Sequence, residues 1–77
     1  MIVYLVTAPE GQEPKHQVFS SARRAVEVVF TAQGISLQGD TPAEKKARQH
    51  VKELARSVRK EGTGTAYNFQ FTRLDMV

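Results

Sequence analysis

Ile2-Val3-Tyr4-Leu5-Val6 runs without a polar interruption and is β-branched and aromatic, which suits a strand lying centrally in a sheet or covered on both faces. Pro9-Glu10-Gly11-Gln12-Glu13-Pro14 then reads as a loop, and Lys15-His16-Gln17-Val18-Phe19 is placed to return antiparallel to the first strand. Ser20 and Ser21 offer side-chain acceptors to the free N–H groups of a first helical turn. At about 100° per residue, Ala22, Val26, Val29 and Phe30 fall within one arc while Arg23, Arg24, Glu27 and Thr31 lie off it. Gly34 supplies the left-handed residue that ends such a helix, and Ile35 is positioned to pack back over the last turn. Val26 to Thr31 is also rich in β-formers, so a hairpin across Ala32-Gln33-Gly34 competes; the amphipathic arc favours the helix.

Thr41-Pro42-Ala43-Glu44 combines an N-cap, a proline at the first helical position and the Glu of a capping box, which fixes the start of a second helix. Ala43, Ala47, Val51, Leu54, Ala55 and Val58 recur at helical spacing, and Gly62 closes the run. After a loop at Gly62-Thr63-Gly64-Thr65, the aromatics Tyr67, Phe69 and Phe71 alternate with Asn68, Gln70 and Thr72, the period of a half-buried strand. Leu74 and Met76 fall on the opposite parity, which predicts a bulge, an end of pairing or a tail packed elsewhere.

These elements predict an α+β fold, two helices packed on one face of a small two- or three-stranded, mainly antiparallel sheet. Its strands are expected near residues 2–8 and 66–73, with 15–19 as the third. The core is expected to hold Val3 or Tyr4 with Leu5, Val26, Val29, Phe30, Val51, Leu54, Val58, Phe69 and Phe71. At 77 residues the chain has room for one core, so 1–77 reads as a single domain. A chain this short commits its large apolar residues to that core rather than to a deep pocket, which weighs against an enzyme. Without cysteine there is no disulfide, Cys-ligated zinc or thiolate nucleophile. Ile2 to Ala8 is far too short to span a bilayer and has no basic region before it, so a cytoplasmic protein is expected, without membrane contact.

Charge changes the picture most. Residues 42–61 carry seven basic and three acidic side chains, a local +4, while the rest of the chain carries four basic and five acidic, or −1. On a helical wheel Lys45, Gln49, Lys52, Arg56, Arg59 and Lys60 fall within an arc of about 100°, facing away from Leu54 and Val58. That row runs about 22 Å at 1.5 Å per residue. A solvated face explains many charge runs. Here Arg48, Lys52, Arg56 and Lys60 form an i, i+4 ladder of like charges, each pair costing roughly 0.2 to 0.5 kcal/mol, where a face selected for solubility would interleave Glu. Lys45 and Lys46 sit in the first turn, where the helix dipole disfavours cations. Lys45, Arg48, Lys52, Arg56, Arg59 and Lys60 are therefore the candidate nucleic-acid-binding residues, with phosphate as the ligand. An acidic protein is the alternative partner. A homodimer through an edge strand, or through apolar surface around Val28, Leu74 and Met76, is a third.

Other chemistry finds little support. His16 and His50 lack partners at metal-ligand spacing, and His50 reads as a residue at the margin of the core stripe. Ser20 and Ser21 beside His16 are better explained as caps than as nucleophiles. Gly62-Thr63-Gly64 leaves a helix and enters a strand, the reverse of a phosphate-cradling loop. The alternating aromatics could stack bases, but in so small a domain they are expected in the core. No cofactor, metal or catalytic residue is expected.

Val18-Phe19-Ser20-Ser21-Ala22-Arg23-Arg24-Ala25, a strand running into a capped helix within a strand-helix-helix-strand plan, resembles the small accessory proteins of bacteriophages and other mobile elements. Host-takeover inhibitors and anti-CRISPR proteins belong to that group. The resemblance is one of size and layout, and implies a binding protein or inhibitor without designating site residues.

Overall fold

The computed structural model describes residues 1–76. In chain order its elements are β1 (Ile2–Thr7), β2 (His16–Phe19), α1 (Ala22–Ala32), α2 (Pro42–Glu61), β3 (Thr63–Ala66) and β4 (Phe69–Asp75). The four strands form one antiparallel sheet in the order β2-β1-β4-β3, and both helices lie on the same side of it. The α+β architecture is the expected one, with a strand more than the sequence suggested.

The α2 boundaries follow from local chemistry. The Thr41 hydroxyl accepts from the Glu44 N–H at 3.2 Å, the Glu44 carboxylate accepts in return from the Thr41 N–H, and Gly62 ends the helix at φ 84°. At the start of α1, Ser21 accepts from the Arg24 N–H at 3.3 Å. At its end the Ile35 N–H donates to the Phe30 carbonyl and the Gly34 N–H to that of Thr31, with Gly34 at φ 79°. This double bond pattern satisfies the last carbonyls and folds Ile35 onto the core. The helix thus prevails over the β-rich alternative because its apolar arc, Ala22, Ala25, Val26, Val29 and Phe30, is buried whole.

The core lies between the helices and one sheet face. Tyr4 and Val6 of β1 and Phe69 and Phe71 of β4 meet Val26, Val29 and Phe30 of α1 and Val51, Ala55 and Val58 of α2. Leu54 is half-buried at its margin. Tyr4, not Val3, fills the β1 position. Leu5 was expected in the core, but strand alternation turns it with Val3 to the face without helices.

Three further corrections concern the C-terminal hairpin. Thr63 to Ala66, expected as a loop, is the edge strand β3, paired from Thr63↔Thr72 to Ala66↔Phe69. Tyr67 does not belong to the strand. Tyr67 and Asn68 have φ of 52° and 68° and form the two-residue connection, the geometry whose twist matches that of the flanking strands. Tyr67 still serves the core, meeting Phe30 edge-on at a ring separation of 5.4 Å. Finally, β4 has no bulge before Asp75. It pairs continuously with β1 from Gln70 to Asp75, and Met76 and Met1 extend the ladder by exchanging backbone hydrogen bonds of 2.7 and 2.9 Å. The change of apolar parity at Leu74 marks a second apolar face of the sheet.

Candidate nucleic-acid interface

α2 is the outer element over β3 and β4, and its orientation is set by Val51, Ala55 and Val58, all buried. With that stripe turned inward, Lys45, Lys52, Arg56, Arg59 and Lys60 are all exposed on the solvent side. The close fit at Gly64 holds this orientation: a Cβ there would stand 2.7 Å from Val58 Cγ2 and 3.3 Å from Leu54 Cδ1. Absence of a side chain lets the helix sit down on β3 and fixes which residues face out.

Arg48 is placed differently. It lies about 60° around the helix from Val51, at the margin of the buried stripe, and is half-buried. Its Nη1 donates to the carbonyls of Leu37 at 2.9 Å and Gly39 at 2.7 Å in the connection between α1 and α2. Those carbonyls are main-chain acceptors with no helical or sheet partner, so the guanidinium performs a structural task. The structure therefore brings together five of the six candidate cations and assigns the sixth to the loop.

Glu44 belongs to the same loop anchor. Its carboxylate accepts from the Ser36 hydroxyl at 2.6 Å and the Thr41 hydroxyl at 2.7 Å. Hydrogen bonding from Ser36 first, then Thr41, holds the Glu44 carboxyl below its ordinary value of 4.5. Gly39, at φ 116°, leaves the space this carboxylate occupies: a Cβ there would fall 2.5 Å from Glu44 Oε1. The acid and Arg48 thus fix the α1–α2 connection from the α2 side, leaving the outward row uninvolved.

One cation was not anticipated. Arg73 of β4 reaches the C-terminal end of α2, where its Nη1 donates to the Arg59 carbonyl. There it meets the negative end of the helix dipole and adds positive charge beside Arg59 and Lys60. No linear spacing reveals this, because the two residues are 14 positions apart and meet only through the β3–β4 hairpin.

The histidines keep structural surroundings. His50 meets Phe30 edge-on at 5.3 Å, at the margin of the core stripe as expected, and His16 Nδ1 lies 3.4 Å from Thr7 Oγ1. Among the described residues, no three His, Asp or Glu side chains are grouped to hold a metal ion, and no helix is long and apolar enough to cross a membrane. Depressions along α1 are open and shallow, one of about 310 Å³ lined by Arg24, Glu27, Val28 and Thr31. Val28, expected to share an apolar surface with Leu74 and Met76, is on this helical layer, whereas those two face the opposite side of the sheet.

Compared with protein-family models, curated proteins and solved structures, the chain gives no significant match to any.

Proposed function

We propose that the chain is a non-enzymatic nucleic-acid-binding module that lays α2 along a phosphate backbone. Lys45, Lys52, Arg56, Arg59 and Lys60 make the contacts. The observation that carries this reading is the exposure of these five cations in one row on the layer turned away from the core. With Arg48 accounted for by the loop, Lys52, Arg56 and Lys60 still stand in two like-charged i, i+4 pairs. These cost the isolated helix about 0.4 to 1 kcal/mol, of which Glu53, three residues before Arg56, is placed to offset only a part. An anionic backbone supplies the rest from outside. The row spans about 22 Å, enough to follow several phosphates at about 3.4 Å of rise per nucleotide. It has no grouping of Asn, Gln and aromatic side chains for reading base edges, so the binding it supports is sequence-independent.

Fluorescence titration of duplex DNA, single-stranded DNA and RNA over a salt series tests this. Neutralising about four phosphates on duplex gives log K against log salt a slope near −3.6, and the double substitution Arg56→Glu, Arg59→Glu abolishes binding while the fold is kept. Absence of binding to all three probes at low salt rejects the reading, leaving an acidic protein as the anion to be sought.

A further inference from the structure

We propose that the face of the sheet not covered by the helices is a self-association surface, and that its occupant is a second copy of this chain. The ladder pairs Leu5 with Val18 and Val3 with Leu74, and Met1 with Met76 extends it, so six apolar side chains form one continuous band across β2, β1 and β4. Val18 is 60% exposed, Met76 52% and Leu74 36%. Scattered exposed apolar residues need no explanation, but a contiguous band across a sheet face marks an interaction site.

Charge and area select the partner. The remaining positions on this face, Thr7, His16, Thr63, Thr65, Gln70 and Thr72, include no Lys, Arg, Asp or Glu. A strongly charged partner would meet no complement here, whereas two copies related by a dyad meet without like-charge repulsion. The basic row does not oppose this contact. With layers about 10 Å apart, the two α2 helices of a face-to-face pair are separated by roughly 30 Å, several times the Debye length of about 8 Å. β1 and β4, about 20 to 24 Å long, and β2 and β3, about 14 Å, at about 4.8 Å spacing give a footprint of about 340 Å², or about 500 Å² of accessible surface once side-chain relief is included. Two copies then bury about 1,000 Å², the size of a weak, reversible contact.

Sedimentation equilibrium from about 1 µM to 1 mM, at about 0.15 M salt and without nucleic acid, tests the proposal. The expected result is a rise from the chain mass of 8.6 kDa to twice that value. Leu74→Glu is expected to weaken the dimer at least about 100-fold, because each copy then buries a carboxylate against its dyad mate. Should circular dichroism show Leu74→Glu unfolded, Val18→Glu, at a more exposed position, gives the same readout. A wild-type chain that stays at 8.6 kDa throughout overturns the proposal. So does a dimer that persists in the folded variants, which would place the contact at an edge strand. Both substitutions leave every cation in place, so this outcome is read independently of the titrations with nucleic acid.

Discussion

Replacing Arg48 by Gln separates loop anchoring from ligand binding on the same helix. The substitution removes two charge-assisted hydrogen bonds, to the carbonyls of Leu37 and Gly39. Hydrogen bonds from charged groups contribute about 1.5 to 3 kcal/mol each. These two share one nitrogen on a half-buried side chain and Gln retains a donor, so about 1.5 to 3 kcal/mol for the pair is the working figure. For a domain of this size each kcal/mol lowers the melting temperature by about 4 to 8 °C, which gives a drop of about 6 to 24 °C. Lys52→Gln, on the free row, leaves the melting temperature unchanged or slightly raised, since it relieves a like-charge pair. The order inverts in nucleic-acid titrations: Lys52→Gln reduces the salt slope by about 0.9, while Arg48→Gln leaves it as in the wild type. Thermal denaturation by circular dichroism and a salt series on both variants make the comparison. An Arg48→Gln protein that melts with the wild type and loses a unit of salt slope would refute the division of labour argued here.

Two further perturbations test the supports of the site. Gly64→Ala places a Cβ 2.7 Å from Val58 Cγ2, about 0.7 Å inside ordinary van der Waals contact. Overpacking of this kind costs about 1 to 3 kcal/mol, part of it relieved because β3 is an edge strand. Urea denaturation of Gly64→Ala, Val58→Ala and the double variant is expected to show the pair losing less than the sum of the single changes; strict additivity removes the steric explanation. The Glu44 carboxyl, held below its unfolded value, stabilises the native state fully above about pH 4.5, and that contribution is lost as pH falls through the folded value. Melting temperatures of wild type and Glu44→Gln are therefore expected to differ at pH 7 and to converge toward pH 3, and a difference independent of pH would show the lowered carboxyl to be without effect on folding.

What the chain discloses by its own order depends on how local the cause is. The limits of α2 are legible because Thr41, Pro42, Glu44 and Gly62 act within a turn of the residues they cap. β3 is not, since Thr63-Gly64-Thr65 has no apolar alternation; its extended form comes from pairing with β4 and from α2 seated above Gly64. Tyr67 misleads because an aromatic in alternation with Phe69 and Phe71 suggests a strand, whereas it occupies a left-handed turn position usually given to Asn or Gly. The parity change at Leu74 is ambiguous alone, and is resolved only when β1 contributes Val3 and Leu5 to the same face. On α2, Lys52 and Arg48 are alike in sequence; only the tertiary placement of two loop carbonyls distinguishes them.

The middle of the sheet joins the two most distant parts of the chain, Ile2 facing Asp75 and Thr7 facing Gln70. Each is a central strand, so neither half of the sequence can assemble the sheet by itself. Long-range pairing of this kind slows acquisition of the fold. Trimming β4 withdraws the keystone rather than a margin: β1 and β2 would be left as an isolated hairpin, of a kind that is barely stable in water.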